Sequence, residues 1–328
     1  MKQKKQIVDP RLLEPAEYFS PGHRACQGCG ETIALRLILK ATGPNVIIAN
    51  ATGCTEIVSS PFPQTAWRVP WIHVAFENAA AVAAGIEAGL KAMMRKGLMA
   101  NRTIAVLAVA GDGGTADIGF QALSGAMERG HDMLYICLDN EAYMNTGIQR
   151  SSATPYGAST TTSPHGSASI GQRTWKKDMP EIMAAHGIPY VATACPSFPD
   201  DMYRKVVKAV TTQGPTYLHV LAVCPTGWRC ASDQTILLGR MAAENGLFPI
   251  YEVENGRYAI NVDPGELKPV KEYLSLQGRF RHLTDEDIEF IQKRVGERFA
   301  RLRKMAAITS GAETAAGADP ARQDVGPS

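Results

Sequence analysis

Short apolar runs alternate with segments of helical periodicity along most of the chain. Two of the runs, residues 103–110 and 133–138, are rich in β-branched or bulky side chains and have few charges. Strands that are buried on both faces of a parallel sheet have this composition. Residues 116–129, between the two runs, have the pattern of a crossover helix. Further helices and strands are predicted at residues 179–186, 190–195, 200–212 and 217–223. The alternation predicts an α/β fold with a doubly wound parallel sheet and helices on both faces.

The regions on either side of this alternating core have different patterns. Residues 1–21 contain three prolines and little periodicity, so we expect an N-terminal arm, followed by the main domain at 22–232. A C-terminal extension at 233–307 contains a β-hairpin, with Asn255-Gly256 at its turn, and a charged helix. Residues 308–328 are rich in Ala, Gly, Thr, Asp and Pro, and we expect them to form a disordered tail.

Each of the two apolar runs leads into a polar turn, Gly111-Asp112-Gly113-Gly114 after the first and Asp139-Asn140 after the second. Turns at the carboxyl ends of nearby parallel strands are where α/β sheets bind ligands. Asp112 and Asn140 offer the hard oxygen ligands that Mg²⁺ takes while it also binds a diphosphate. The helix after Gly114 can point free N–H groups at that diphosphate. An ordinary solvated turn is the alternative for Gly-Asp-Gly alone, but its combination with Asn140 favours a diphosphate–metal site.

The overall composition excludes several classes of protein. The 328 residues are 45% hydrophobic and 20% charged, with a formal net charge of +2, so no broad basic surface is available for nucleic acid. No apolar run approaches the roughly 18 residues that span a bilayer. The basic residues 1–6 are not followed by the apolar segment of a secretory signal. We therefore expect no membrane association and a cytoplasmic location.

The cysteines indicate metal or redox chemistry. Their number, seven, is odd and does not indicate a disulfide framework. The segment Cys26-Gln-Gly-Cys29-Gly30 has the spacing of two ligands of one metal centre, and its two glycines would keep side chains away from that centre. Cys54 and Cys224 each lie at the carboxyl end of a predicted strand, so both can approach this pair at one edge of the sheet. Four thiolates suit either Zn²⁺ or an iron–sulfur cluster, and the residues alone leave both open.

The other three cysteines have different interpretations. Cys137 lies within a buried strand and Cys195 at a strand end, where a small apolar thiol is common. Cys230 is a rival for the fourth ligand position. We favour Cys224 because it ends a strand and is followed by Pro225.

A set of longer motifs resembles a known family. These motifs are Gly22-His-Arg-Ala-Cys-Gln-Gly-Cys-Gly-Glu31, Asn50-Ala-Thr-Gly-Cys54, Gly111-Asp-Gly113, Asp139-Asn-Glu-Ala-Tyr-Met-Asn-Thr-Gly147, Ala153-Thr-Pro-Tyr-Gly157, Cys224-Pro-Thr-Gly-Trp228 and Leu276-Gln-Gly-Arg-Phe-Arg-His-Leu283. In this order they resemble the β subunit of pyruvate:ferredoxin oxidoreductase and of related 2-oxoacid:acceptor oxidoreductases. The resemblance extends from about residue 18 to residue 285.

The resemblance implies three cofactors. The first two are thiamin diphosphate and Mg²⁺, with Asp112, Asn140 and the backbone carbonyl of Ala142 as the Mg²⁺ ligands. The third is a [4Fe–4S] cluster, whose implied ligands are Cys26, Cys29, Cys54 and Cys224. Other residues implied at the cofactors are Gly111, Gly113 and Gly114 at the diphosphate, Thr52 and Gly53 before Cys54, Glu31 beside the cluster, and Asn145 in the catalytic pocket. A surface ion pair is the alternative for Glu31.

The same resemblance implies an activity. Thiamin would carry the carbon chemistry of decarboxylation, the cluster would accept electrons singly, and CoA would take the acyl group. The simplest reaction converts pyruvate, CoA and oxidised ferredoxin to acetyl-CoA, CO₂ and reduced ferredoxin. Branched 2-oxoacids, oxalate and phenylglyoxylate are alternative substrates, because the enzymes that use them have similar β chains.

The resemblance also implies partner subunits. In this family the glutamate that activates thiamin belongs to a pyrimidine-binding domain on an α subunit, together with the main substrate-binding residues. Subunits γ and δ, the latter ferredoxin-like, would complete the complex. Because this chain has the motifs of the diphosphate-binding half only, we expect it to be inactive alone.

Two other functions share part of the pattern. A thiamin carboligase or decarboxylase of the acetolactate type has a Gly-Asp-Gly turn, but such chains normally carry both thiamin domains and no cysteine cluster. A zinc-stabilised interaction subunit without catalysis would use the cysteines only structurally. Iron and sulfide content distinguishes these functions, since a colourless zinc protein would have no cluster.

Overall fold

The computed structural model describes residues 15–316, with side chains as far as residue 311. Its strands are β1 (Val46–Ala51), β2 (Trp71–Val74), β3 (Ala105–Gly111), β4 (Leu134–Asp139), β5 (His165–Gly166), β6 (Ser169–Ile170), β7 (Tyr190–Ala194), β8 (Thr216–Leu221), β9 (Ile250–Glu254) and β10 (Arg257–Val262). Eight of the described strands form one sheet in the order β10-β9-β7-β8-β4-β3-β1-β2, and β5 and β6 form a small separate hairpin.

The helices alternate with these strands. They are α1 (Gly30–Thr42), α2 (Cys54–Ser59), α3 (Ala79–Arg95), α4 (Phe120–Glu128), α5 (Met179–Ala185), α6 (Pro199–Thr211), α7 (Pro225–Trp228), α8 (Thr235–Glu244), α9 (Val270–Ser275) and α10 (Asp285–Ala316). Short 3₁₀ turns lie at Ser232–Gln234 and Gly278–Phe280. Between residues 15 and 316, no helix is both long enough and apolar enough to cross a membrane.

The centre of the sheet is parallel and is covered on both faces. Strands β2, β1, β3, β4, β8 and β7 run in one direction. Side chains of β3 alternate between the two faces: Ala108 packs in the core formed with α3, α4 and α5, whereas Leu107 and Val109 pack in the core formed with α1 and α6. Since both faces of β3 are buried, its sequence is apolar throughout. The predicted doubly wound α/β fold is confirmed.

The C-terminal extension continues the main sheet. The predicted hairpin forms β9 and β10, and β9 pairs antiparallel with β7. Helix α10 continues to Ala316, so the prediction that a disordered tail begins at residue 308 is wrong for the first part of that segment. The rest of the predicted tail, residues 317–328, and residues 1–14 of the predicted arm lie outside the described residues.

The crossover helix after β3 begins earlier than predicted and has a different geometry. A π-helical turn, Gly114–Ile118, precedes α4. The N–H of Gly119 donates to the carbonyl of Gly114, five residues earlier, at 2.8 Å. A Cβ atom on Gly119 would lie 2.3 Å from that carbonyl oxygen, so the wide turn requires glycine there. Single π-helical turns within helices frequently occur at functional sites.

Candidate cofactor site

Four turns lie side by side at the carboxyl edge of the sheet. Strands β1, β3, β4 and β8 are consecutive in the sheet order β8-β4-β3-β1. They lead respectively into the Cys54 turn (residues 51–54), the Asp112 turn (111–114), the Asn140 turn (139–142) and the Cys224 turn (222–230). Parallel strands that are neighbours end at the same edge, so polar residues far apart in sequence are brought together.

A cavity of about 270 Å³ opens between the first three of these turns and the start of α1. Its walls are formed by Glu31, Asn50, residues 51–55, Phe76, residues 111–114, Asn140 and residues 142–146. The walls of the cavity therefore include every residue that the sequence predicts at thiamin diphosphate or Mg²⁺, together with Cys54. The other three predicted cluster ligands, Cys26, Cys29 and Cys224, lie outside its walls.

Asp112 has an unusual environment for a buried acid. Its side chain is 1% exposed, and its Oδ2 accepts a hydrogen bond from the Ser151 hydroxyl. No Lys or Arg of the described chain forms an ion pair with it. Burial, and secondarily the charge of Asp139, raises the pKa of Asp112 well above its ordinary value. A buried carboxylate without a cationic partner is stabilised when a metal ion supplies the missing charge.

Two glycines of the Asp112 turn allow close packing against aromatic residues. A Cβ atom on Gly113 would lie 2.3 Å from the Tyr143 ring, and one on Gly114 would lie 3.2 Å from the carbonyl oxygen of Phe76. The Tyr143 hydroxyl in turn donates to Asp117 at 3.0 Å. The helical segment that begins here has N–H groups without intrahelical acceptors, as every helix start does. The turn therefore combines backbone donors with one carboxylate.

Asn140 is held by partners from two other parts of the chain. Its amide Nδ2 donates to Glu31 Oε1, and its backbone carbonyl accepts from Trp228 Nε1 at 2.8 Å. Because a carboxylate is only an acceptor, Glu31 determines which end of the Asn140 amide faces it and leaves Oδ1 for another partner. Within the described chain the contact of Oδ1 is a long one, 3.4 Å from the N–H of Ala142.

Glu31 is a buried link rather than a member of a surface ion pair. It is 5% exposed, and its second oxygen accepts from the Thr55 hydroxyl at 2.6 Å. Burial raises its pKa, although the hydrogen bonds from Thr55 and Asn140 oppose that rise. Glu31 thus connects the first turn of α1, which follows Cys29, with the Asn140 turn.

The Cys26–Cys29 segment packs directly on the Cys224 turn. The N–H of Gly30 donates to the carbonyl of Val223 at 3.0 Å. A Cβ atom on Gly28 would lie 2.0 Å from the Ser232 carbonyl oxygen, and one on Gly30 would lie 2.6 Å from the Val223 nitrogen. The two glycines are therefore required by backbone contact. That they also keep side chains away from the thiolates stays a prediction.

Among the predicted cluster cysteines, Cys54 and Cys224 respond to the charges of other members of the set. Burial raises the pKa of Cys29 to about 11 and that of Cys224 to about 12, and it raises that of Cys54 further. Negative charge on Glu31 adds to each rise, and Cys54 also responds to Cys224 and Cys29. These thiols therefore lie near one another. Cys26 is exposed.

The remaining cysteines have other surroundings. Cys230 responds to the charge of Arg279 rather than to the other thiols. Cys137 and Cys195 are fully buried in apolar cores, as the sequence predicts. In the described part of the chain, no group of three or more His, Cys, Asp or Glu side chains is spaced to hold a metal ion. The absence of such a group applies to sites for a single metal ion, in which sulfur lies about 2.3 Å from zinc. A four-iron cluster is larger than one ion, so its cysteine ligands are spaced further apart.

Comparison with known proteins identifies the family. Residues 51–220, about half of the chain, match the family model described as thiamine pyrophosphate enzyme, C-terminal TPP binding domain. Pyruvate synthase subunit PorB of Methanocaldococcus jannaschii is 62% identical over 283 residues, which cover 86% of this chain and 95% of the relative. The chain belongs to the PorB/VorB family of thiamine pyrophosphate enzymes. The resemblance inferred from the motifs is confirmed.

Other members of the PorB/VorB family are also similar over most of their length. Ketoisovalerate oxidoreductase subunit VorB of Pyrococcus abyssi is 50% identical over 304 residues, which cover 92% of this chain and 97% of the relative. A solved structure of 2-oxoglutarate:ferredoxin oxidoreductase from Magnetococcus marinus, with 2-oxoglutarate, coenzyme A and succinyl-CoA bound, has a TM-score of 0.52 and 20% identity. That match covers 70% of this chain and 82% of the solved chain and is a likeness of fold.

The PorB/VorB motif residues at the rim of the cavity are more exposed than those at its base. Asn145 is exposed, and no hydrogen bond holds its side chain within residues 15–311. Thr52 donates to the Val74 carbonyl at 3.1 Å and lies 2.7 Å from His73 Nε2. Gly53 has open space around its Cα. Asn145 is therefore free to reorient toward a ligand, whereas Thr52 is held in place.

Three residues support this site in roles that the sequence analysis did not assign to them. Ser151 donates to Asp112, Lys176 pairs with Asp139 and Glu141, and Arg279 pairs with Glu141. The motif Leu276–Leu283 contains Arg279, but nothing in the motif indicates that its partner is Glu141. Ser151 lies within residues 146–175, which have no clear periodicity, and Lys176 directly follows them, so neither could be assigned a position.

Proposed function

We propose that this chain is the thiamin diphosphate-binding subunit of a pyruvate:ferredoxin oxidoreductase. The reaction would convert pyruvate, CoA and oxidised ferredoxin to acetyl-CoA, CO₂ and reduced ferredoxin. The observation that carries the proposal is the arrangement of four adjacent strand ends, which bring two hard oxygen donors and two cysteines to one edge of the sheet. The 62% identity to a pyruvate synthase subunit supports the choice of substrate.

The donor set at the Asp112 and Asn140 turns fits Mg²⁺ with a diphosphate. We assign Asp112, Asn140 Oδ1 and the Ala142 carbonyl as the protein ligands. Asp112 is a buried carboxylate that forms no ion pair with any Lys or Arg between residues 15 and 311, and Glu31 leaves the Asn140 oxygen available. A hard cation prefers such oxygens and takes its remaining ligands from phosphate and water. The glycines 111, 113 and 114 would let the backbone N–H groups approach the diphosphate.

The cysteines support a [4Fe–4S] cluster on Cys26, Cys29, Cys54 and Cys224. The Cys26–Cys29 segment packs on the Cys224 turn, and the charge of Cys224 adds to the raised pKa of the Cys54 thiol. Cluster ligands are thiolates, so binding would require deprotonation of thiols whose pKa burial now raises. Glu31 would separate the cluster from the Mg²⁺ site and hold Asn140 in the ligand orientation.

When bound, thiamin diphosphate supplies a carbanion-stabilising ring, and the cluster supplies a one-electron acceptor. The role of this chain is to hold both and to keep the metal turn dry and fixed. Asn145, at the rim, would hydrogen-bond the substrate or the thiazolium ring, and Thr52 and Gly53 would form the wall between cofactor and Cys54. The activating glutamate and most substrate contacts would come from an α subunit, with γ and ferredoxin-like δ subunits completing the complex.

The decisive experiment is anaerobic purification of the complex, followed by iron, sulfide and zinc analysis and a panel of 2-oxoacids with CoA and a viologen dye. We expect iron and sulfide in the subunit, thiamin-dependent dye reduction, and pyruvate as the preferred substrate. The VorB relatives make 2-oxoisovalerate the first alternative substrate to include. Zinc in place of iron, or full activity of this chain without its partners, would contradict the proposal.

A pair of matched variants tests the cysteine assignment. Cys224→Ser should lower the iron content and bleach the visible absorbance of the subunit. Cys230→Ser, six residues away on the same turn, should leave both unchanged, because Cys230 lies toward Arg279. The reverse result would assign the fourth ligand to Cys230.

A further inference from the structure

Arg279 lies between the Asn140 turn and the Cys224 turn. Its side chain is 2% exposed, and its Nη2 donates to the carboxylate of Glu141. The guanidinium carbon lies 4.0 Å from the centre of the Trp228 ring, and Trp228 Nε1 donates to the Asn140 carbonyl at 2.8 Å. Arg279 therefore contacts both turns, through Glu141 on one side and through Trp228 on the other.

Glu141 has a backbone conformation that needs such support. Its φ of 72° is in the left-handed region, which disfavours residues with a Cβ atom. Its carboxylate is paired with Arg279 and with Lys176 Nζ at 3.0 Å, and its carbonyl accepts from the Thr154 hydroxyl at 2.8 Å. The conformation of Glu141 sets the path of the chain from Asn140 to Ala142. Loss of the partners of Glu141 would therefore displace both Asn140 and Ala142.

The backbone and side chain of Arg279 are also held in place by their neighbours. Gly278 N–H donates to the carbonyl of Arg229, and a Cβ atom on Gly278 would lie 2.7 Å from that residue's Cβ. Arg279 Nε donates to Gln277 at 3.0 Å, so the guanidinium is oriented before it meets Glu141. A flat cation held on an indole ring and paired with a carboxylate is a rigid spacer, which a lysine cannot reproduce.

We propose that Arg279 is a positioning residue that holds the Asn140 turn and the Cys224 turn at one fixed spacing. The inference rests on the proposed function, in which the first turn binds Mg²⁺ and the second binds the cluster. Arg279 would then orient Asn140 and Ala142 toward the metal and fix the distance between cofactor and cluster, on which electron transfer depends steeply.

A test of Arg279 has to distinguish a role in stability alone from a role in positioning the Asn140 turn. Arg279→Met leaves two buried carboxylates, Glu141 and Asp139, to share the single charge of Lys176, and an uncompensated buried charge destabilises a protein wherever it lies. The double variant Glu141→Gln/Arg279→Met removes both charges at once. It should therefore recover most of the thermal stability that Arg279→Met loses, but it cannot restore the contact that positions the turn.

The test uses the assembled complex and Mn²⁺ as the probe, with free Mn²⁺ followed by electron paramagnetic resonance in the presence of thiamin diphosphate. Outer partners of metal ligands typically contribute about 10–100-fold in affinity. We expect Arg279→Met to weaken Mn²⁺ binding about 10-fold or more and to lower the unfolding temperature in EDTA. The double variant should regain the unfolding temperature while Mn²⁺ binding stays weak. If Arg279→Met does not assemble, Arg279→Lys, which keeps the charge, carries the same comparison.

Lys205 provides the matched control. It is likewise a buried cation, paired with Asp201 at 2.7 Å, but it lies on α6. Lys205→Met should lower the unfolding temperature and leave Mn²⁺ affinity within about 2-fold of wild type. Mn²⁺ affinity that is unchanged in Arg279→Met, or restored together with stability in the double variant, would overturn the inference alone. Absence of thiamin-dependent Mn²⁺ binding in the wild-type complex would overturn the proposed function and the inference with it.

Discussion

Asp112 and Asp139 end neighbouring strands of the same sheet, and both side chains are almost completely buried. Asp139 is paired with Lys176 and with His219 Nε2 at 2.7 Å. Although burial alone would raise it, these partners lower the pKa of Asp139 to about 2. Among the described side chains, only the Ser151 hydroxyl donates a hydrogen bond to Asp112, and burial raises the pKa of Asp112. Asp139 thus has a direct ion pair with a lysine, whereas no described Lys or Arg forms an ion pair with Asp112, the acid that we propose as a Mg²⁺ ligand.

The largest effect is expected from Asp112→Asn, which keeps the shape of the side chain and removes its charge. With thiamin diphosphate present, the apparent Mg²⁺ dissociation constant should rise more than about 100-fold, since even outer partners of a metal ligand contribute 10–100-fold. Titration calorimetry measures this. In EDTA the variant should be no less stable than wild type, because an uncompensated buried charge is gone. Unchanged Mg²⁺ affinity would mean that Asp112 is not a Mg²⁺ ligand and does not differ from Asp139 in function.

Asp139→Asn should have the opposite profile. It leaves Lys176 with Glu141 alone and removes the charge that faces His219. Because breaking a buried pair costs about 3–5 kcal/mol and Lys176 keeps one partner, we expect a loss of about 2–3 kcal/mol in the free energy of unfolding. Urea denaturation followed by circular dichroism measures it. Mg²⁺ affinity of the folded variant should stay within a few-fold of wild type, and a larger loss would mean that Asp139 also serves the metal.

The two acids should also oppose each other in their pH dependence. For Asp139 the folded pKa of about 2 lies below the ordinary 3.8, so its contribution of about 2 kcal/mol is present above pH 4 and is lost as the pH falls through 2. For Asp112 the folded pKa is raised, so its contribution is full below pH 3.8 and is lost as the pH rises through the raised value. In EDTA, wild type should therefore lose stability relative to Asp112→Asn as the pH rises above about 4. Parallel unfolding temperatures across that range would contradict this.

The smallest effect is expected from Ser151→Ala. It removes the hydrogen bond to Asp112 but neither the carboxylate nor the cavity. A hydrogen bond to a charged group contributes about 1.5–3 kcal/mol at most, and bound Mg²⁺ would compensate for part of the loss, so we expect a change of about 1 kcal/mol in Mg²⁺ binding. Ser152→Ala is the control, since it is the backbone N–H of Ser152 that donates, to Asp117. An equal effect of both variants would mean that the loop, and not the hydrogen bond, is responsible.

The sequence predicted the parts of the site that follow from strand ends. Strands buried on both faces must be apolar, so β3 and β4 were recognisable, and the turns after them had to meet at one edge. Cys54 and Cys224 were placed at that edge by the same argument. The bounds of the strands differ from the prediction by about two residues or fewer.

The difference between Asp112 and Asp139 could not be predicted, because the partners that create it are distant in sequence. His219 lies 80 residues after Asp139, and Ser151 lies 39 residues after Asp112. Periodicity shows which face of an element is buried, but it does not show which side chain will meet a given carboxylate. The role of Gly28 and Gly30 was missed for the same reason, since their backbone neighbours are near residues 223 and 232.

Because all four turns lie at the carboxyl edge of the sheet, an attachment at the opposite edge would be distant from them. One connection there, between α4 and β4, passes through Gly130 in the left-handed region with open space around its Cα. Exposed turns of this kind tolerate insertions and attachments. A linker or surface anchor placed at Gly130 would tether the protein with its cofactor turns directed away from the support, a favourable orientation for an immobilised redox enzyme.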